Sequence, residues 1–172
     1  MNSKTRIGIL GGSFDPAHKG HLSISKVAIK KYRLKKLIWA ITQKNPHKKK
    51  SLNSISDRIK KCKKVIKSNN LIKIKFYEKL IKSNKTIDLI SYIKKKTKSE
   101  IYFLMGADNL IFFHKWHKWK IIAKNCNIIV FDRYGYKKKS LNSISYKRLK
   151  DKNLKFVNFN RVNISSSKLR KI

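Results

Sequence analysis

Gly8–His21, read GILGGSFDPAHKGH, sets an apolar run, two adjacent glycines and two histidines side by side. Arg6-Ile7-Gly8-Ile9-Leu10 reads as a short buried strand. Gly11-Gly12 is expected to turn the chain sharply and bring backbone close to a ligand with no Cβ between, and Pro16 ends any ladder. From Gly20 onward Ile24, Val27, Ala28 and Tyr32 recur at helical spacing, which puts His18 and His21 at a helix entrance. Unpaired backbone N–H groups there favour anions, and imidazole N–H donors add to that field. The chemistry this suits is the holding of phosphate, with Gly11, Gly12, Ser13 and Phe14 as the turn around it. A glycine turn before a helix also serves plain packing, so the H-x-G-H spacing carries most of the argument. Neither the Walker lysine spacing nor G-x-G-x-x-G occurs, which sets P-loop and ordinary dinucleotide readings aside.

The elements that must hold this turn follow from the apolar pattern. Leu37–Ile41 is a second strand, and the helix from Ser54 shows Ile55, Ile59, Cys62 and Ile66 on one face, with Ser54 and Asp57 as a capping pair. Leu71–Phe76 alternates like an edge strand, and Thr86–Lys96 repeats as a helix. Ile101–Met105 and Asn127–Phe131 are continuous apolar runs of central parallel strands, and a last strand lies near Leu154–Phe159. This alternation predicts one domain over 1–172: a Rossmann-like α/β fold, a doubly wound parallel sheet of about five or six strands with helices on both faces. Ligands then belong at the carboxyl ends of the strands. The glycine-histidine turn, Gly106-Ala107-Asp108 and Arg133 each follow a strand.

Composition bounds the function classes. The 172 residues carry 45 Lys+Arg against 8 Asp+Glu, a formal charge of +37, which alone would suggest a nucleic-acid binder. The basic runs are dispersed, at Lys48–Lys50, Lys94–Lys96 and Lys137–Lys139, and Lys, Asn and Ile are abundant throughout, as a bias toward A- and T-rich codons would produce. A solvated basic surface is the expectation, with no specific nucleic-acid partner. Cys62 and Cys126 have no metal or redox spacing and read as reduced core residues. With no secretory leader pattern and no apolar stretch long enough to span a bilayer, a cytoplasmic protein is expected. The sequence leaves monomer and homo-oligomer open. Lys-Lys-Lys-Ser-Leu-Asn-Ser-Ile-Ser occurs at 48–56 and again at 137–145, both expected in loops after strands. Compositional drift explains such a repeat; the sharper reading makes each copy a lysine arm over the substrate rim.

The H-x-G-H segment resembles the signature of the nucleotidyltransferase superfamily with its (H/T)-x-G-H motif. Ile164-Ser165-Ser166-Ser167-Lys168-Leu169-Arg170 resembles that superfamily's I-S-S-T-x-I-R motif, with Ser167 where threonine is usual and Leu169 for isoleucine. Asn45-Pro46-His47-Lys48, Thr86-Ile87-Asp88-Leu89 and Met105–Leu110 with Phe113, Trp116 and Trp119 narrow the likeness to the bacterial nicotinate-nucleotide adenylyltransferases. The resemblance implies transfer of AMP from ATP to nicotinate mononucleotide, giving nicotinate adenine dinucleotide and pyrophosphate, with Mg²⁺ accompanying ATP. It implies that His18, His21 and Arg170 are catalytic, and that Lys48, Ser166 and Ser167 hold phosphates. Asp108 would take a ribose hydroxyl, with Gly106 and Arg133 on the ATP side. Trp116 would stack on the pyridine ring, and backbone near Thr86 would meet its carboxylate.

Phe112, Phe113, Trp116 and Trp119 at helical spacing could be core, His114 and His117 lack partners for a zinc site, and Asp15 reads as a turn former beside Pro16. Phosphopantetheine adenylyltransferase would carry threonine in place of His18, and neither it nor a cytidylyltransferase accounts for Gly106-Ala107-Asp108 with Trp116. A basic nucleic-acid-binding protein is the rival from another class, and no recognised RNA or DNA motif supports it.

Overall fold

The computed structural model describes residues 4–43 and 51–158. Its strands are β1 (Arg6–Gly12), β2 (Lys36–Ile41), β3 (Ile72–Lys75), β4 (Glu100–Gly106), β5 (Asn127–Phe131) and β6 (Leu154–Val157). The helices are α1 (Lys19–Tyr32), α2 (Ile55–Ile66), α3 (Glu78–Ile81), α4 (Thr86–Thr97), α5 (Ala107–Phe112), α6 (Trp119–Asn125), α7 (Lys137–Leu141) and α8 (Ile144–Leu149). A 3-10 turn, Phe113–Lys115, follows α5.

The strands form one sheet in the order β3-β2-β1-β4-β5-β6, every pair parallel. Fully apolar runs suit this, because helices cover both faces of such a sheet. Alternate side chains go to opposite sides. Ile9, Phe103, Met105 and Val130 pack with Ile90, Leu110 and Ile122 of α4, α5 and α6. Leu37, Trp39, Leu104 and Ile129 pack with Ala28 of α1 and Cys62 of α2. Chain order reverses between β1 and β4, so the crevice for a ligand opens at their carboxyl ends. Gly12 ends β1 and Gly106 ends β4, on either side of that crevice.

Two expectations change here. Gly11 and Gly12 do not make the turn; β1 continues through both, in register with Ala40 and Ile41 of β2. The chain turns just beyond them, where Phe14 takes a left-handed backbone conformation with φ of 48°. The second copy of the repeated segment is not a loop. Lys137–Leu141 is α7, and Ser143 opens α8 by accepting the N–H of Tyr146 at 3.2 Å. In the first copy Ser54 opens α2 in the same way, accepting the N–H of Asp57 at 3.1 Å. Each copy thus contributes the same local device, a serine N-cap. Lys48–Lys50 lie outside the described residues.

Candidate active site

His18 is the N-cap of α1, with extended backbone, and His21 is the third residue of the helix. The Nδ1 of His18 accepts the N–H of Gly20 at 3.1 Å, and the Nδ1 of His21 accepts the N–H of His18 at 3.2 Å. This is a capping box built from two imidazoles in place of the usual serine and glutamate. It fixes chemistry as well as structure. A nitrogen that accepts a hydrogen bond carries no proton, so each ring holds its hydrogen on Nε2, a donor suited to an anionic oxygen. The rings lie 3.9 Å apart between centroids.

The core supports these rings from behind. Phe14, 1 % exposed, stacks on Trp39 at 4.9 Å and meets the His21 ring at 4.8 Å. Trp39 Nε1–H donates to Ser25 Oγ at 2.8 Å, and that hydroxyl donates to the His21 carbonyl at 2.7 Å. The Phe14 side chain therefore serves as packing beneath the histidines.

Asp15 does more than form a turn. Its fully buried carboxylate accepts the Leu52 N–H at 2.7 Å, the Asn53 N–H at 3.4 Å and the Asn53 side-chain amide. Burial pushes this carboxyl up, but the Asn53 side chain, the two backbone N–H groups and the Arg58 charge outweigh it and hold Asp15 below its ordinary range. The turn between β1 and α1 is thereby fastened to the start of α2.

Across the crevice lies a cavity of about 330 Å³, lined by Gly11, Gly12, Thr42, Glu78, Thr86 and Trp116 among others. That volume is of small-ligand size. Without side chains, Gly11 and Gly12 leave β1 as its floor: a Cβ on Gly11 would reach 3.7 Å from Phe103, and one on Gly12 would press Phe14 at 3.3 Å. Trp116 is half-buried, edge-on to Phe103 at 6.1 Å and to Phe113 at 5.3 Å. It packs against the core and also lines the cavity. Trp119 is also half-buried, edge-on to Phe113, and does not line the cavity. His117 is exposed at the cavity wall, while the His114 N–H donates to Ser145 Oγ at 2.9 Å. Glu78 faces the wall from the side of β3, accepting the Thr42 hydroxyl and, at 3.2 Å, the Gln43 N–H.

On the other rim Arg133 donates to Asp108 Oδ2, joining two residues predicted from separate strand ends. Asp108 Oδ1 is buried and has no hydrogen-bond partner among the described residues. A buried acceptor left this way invites a ligand donor. Gly106 makes room for it, since a Cβ there would lie 2.5 Å from Oδ1. Lys48, Ser166, Ser167 and Arg170 fall outside the described residues. Sequence reading missed Arg58, Thr42 and Glu78.

The sequence pattern of the Cytidylyltransferase-like family matches residues 9–172. A relative from Pelagibacter ubique, named "Probable nicotinate-nucleotide adenylyltransferase", is 63% identical over 169 residues, 98% of this chain and 94% of that protein. One of the same name from Agrobacterium fabrum is 37% identical over 131 residues, 75% of this chain and 70% of that one. Among solved structures, Plasmodium falciparum nicotinic acid mononucleotide adenylyltransferase complexed with NaAD superposes with a TM-score of 0.76 at 22% identity, covering 97% of this chain and 83% of that one, a likeness of fold. Fold and sequence together define a nucleotidyltransferase of the cytidylyltransferase-like class. Within that class, the chain belongs to the nicotinate-nucleotide adenylyltransferase family.

Proposed function

We propose that this enzyme transfers AMP from ATP to nicotinate mononucleotide, releasing pyrophosphate and nicotinate adenine dinucleotide for NAD synthesis. The observation that carries the reading is the pair of imidazoles held by their own capping box at the N-terminus of α1, which follows the strand whose Gly11 and Gly12 line the Trp116 cavity. The attacking group is already an anionic phosphate oxygen, so no general base is required. Catalysis reduces to in-line placement and stabilisation of charge on the α-phosphate and the leaving pyrophosphate.

In this reading the Nε2–H groups of His18 and His21 bind ATP phosphate oxygens, adding to the partial positive charge of the helix end. Backbone of Gly11, Gly12, Ser13 and Phe14 lines their approach. The orphaned Asp108 Oδ1 accepts a ribose hydroxyl, and Arg133 steadies that carboxylate. Lys48, Ser166, Ser167 and Arg170 complete the phosphate site by their match to the family motifs, with the Arg170 fork suited to two oxygens. The Trp116 indole offers a flat face to an electron-poor pyridine ring, and the start of α4 at Thr86 offers backbone N–H groups to its carboxylate.

Among the described residues no group of three or more His, Cys, Asp or Glu could hold a metal ion. In this reading Mg²⁺ comes with the triphosphate, an ion that keeps waters and substrate phosphates as ligands and does not need an all-protein cage. When bound, it would neutralise phosphate charge. We further propose that residues 1–172 form one nucleotidyltransferase domain, that the enzyme works in the cytoplasm, and that its excess charge recruits no specific nucleic acid. Among the described residues no helix is long and apolar enough to cross a membrane.

The test is pyrophosphate release from Mg-ATP with nicotinate mononucleotide, nicotinamide mononucleotide and phosphopantetheine supplied in parallel. Turnover with nicotinate mononucleotide alone, lost in His21→Ala, is expected. Turnover with phosphopantetheine in its place would refute the assignment.

A further inference from the structure

We propose that Arg58 is a positioning residue that holds the ATP turn and the mononucleotide pocket in register, an inference that rests on the reaction proposed above. Arg58 is 2 % exposed, one of the largest fully buried side chains of the protein. It projects from the second turn of α2 to the place where β1 and β2 part. The ladder between those strands ends with the Thr42 N–H on the Gly12 carbonyl at 3.0 Å. Beyond that bond Ser13 leads into the turn carrying His18 and His21, while Thr42 lines the cavity and donates to Glu78. Arg58 Nη1 spans the divergence, donating to the Ser13 carbonyl and to the Thr42 carbonyl, each at 2.8 Å. One nitrogen thus limits the separation of the two substrate sites.

The charge is balanced from the same two sides. Asp15, on the phosphate turn, and Glu78, at the pocket wall, both attract the guanidinium against the cost of burial. Its Nε has no hydrogen-bond partner among the described residues. A buried cation with an unmet donor is a poor choice for stability alone, and an apolar side chain of similar volume often serves as well or better. Geometry accounts for it. In-line transfer needs the attacking phosphate oxygen, held by the pocket, within about 3–3.5 Å of a phosphorus held by the turn.

The test compares wild type, Arg58→Met and Arg58→Lys as full chains, each assayed well below its thermal midpoint. Calorimetry gives the Kd of ATP alone, of nicotinate mononucleotide alone and of the dinucleotide product, which occupies both sites at once; steady-state kinetics give kcat and both KM values. In Arg58→Met each single substrate is expected to bind within about threefold of wild type, while product affinity and kcat fall about 100-fold, as for a displacement near 1 Å. Arg58→Lys should recover part of both, since an ammonium reaches the carbonyls with a different span. Product affinity and kcat within threefold of wild type in folded Arg58→Met overturn the proposal. So do single-substrate affinities that fall as far as that of the product, which would mean damage to each site separately. If Arg58→Met does not fold, Arg58→Lys decides, and wild-type values there overturn it. A wild-type protein without turnover refutes the reaction itself, a result distinct from an active wild type with an indifferent Arg58.

Discussion

Replacing Asp15 by asparagine tests whether the phosphate turn is fastened to α2 by charge. The carboxylate is fully buried, accepts three N–H groups from Leu52 and Asn53, and lies in the field of Arg58. Hydrogen bonds to a charged acceptor contribute about 1.5–3 kcal/mol each. Asparagine keeps one carbonyl oxygen for those donors but turns an NH₂ toward the rest, so a loss of about 2–3 kcal/mol at neutral pH is expected. For a chain of this size that is roughly 4–12 °C in Tm. The pH dependence has a definite sign. The folded-state pKa of Asp15 lies below its unfolded value, so the folded state binds fewer protons there. Its contribution is complete above the unfolded value, near 3.8, and disappears as pH falls through the folded one. Thermal melts of wild type and Asp15→Asn should differ by a constant amount from about pH 5 to pH 8 and converge in stronger acid. Equal midpoints at pH 7, or a gap that survives undiminished to pH 3, would refute the reasoning.

Alanine at the two histidines separates cap from catalysis. His18→Ala removes the N-cap acceptor of α1 and should cost about 1 kcal/mol of stability, seen in urea melts, and each of His18→Ala and His21→Ala should lower kcat about 10²–10³-fold with modest change in KM. Gly106→Ala puts a methyl 2.5 Å from Asp108 Oδ1, which must swing aside. The KM for ATP should rise about tenfold, the loss of one charge-assisted hydrogen bond, with Tm nearly unchanged. Burial pushes the thiols of Cys62 and Cys126 up to about 12. Both should therefore resist a disulfide reagent at pH 8 in the native protein and react together in guanidinium; fast native labelling would contradict their placement.

The legible part of the fold was the sheet. Ile101–Met105 and Asn127–Phe131 read as central strands because both faces are covered, and β4 and β5 occupy those residues. Leu71–Phe76 read as an edge because it alternates, and β3 is indeed an edge strand. The helices α5 to α8 were not legible, since five to seven residues are too few to show a helical period. His18 and His21 were placed at a helix entrance by local spacing, and α1 begins there. Arg58 was invisible for the opposite reason. Its partner Ser13 lies 45 residues away in sequence, and on α2 it sits among lysines that face water.

A signal for the site was nonetheless present in the scarcity of acids. With a charge of +37 and only eight carboxylates, each acid resists a strong compositional tide. Asp57 caps α2 with Ser54, Asp88 bonds Ser83 at the start of α4, and Glu100 meets Arg6 and Asn127. Four more stand just beyond strand ends: Asp15 after β1, Glu78 after β3, Asp108 after β4 and Asp132 after β5. Asp151 alone is on an exposed turn outside these groups. The lysines sit where a solvated cation costs little, and the carboxylates sit where a specific donor must be met. Half of the acids thus mark the carboxyl rim of the sheet. The same reasoning extends to arginine, which occurs seven times among those 45 basic residues. Arg58 and Arg133 are both at this rim, Arg58 Nη1 donating to the Ser13 and Thr42 carbonyls and Arg133 Nη1 to Asp108 Oδ2. Among the described residues two of the five arginines thus join half of the acids at the carboxyl rim of the sheet.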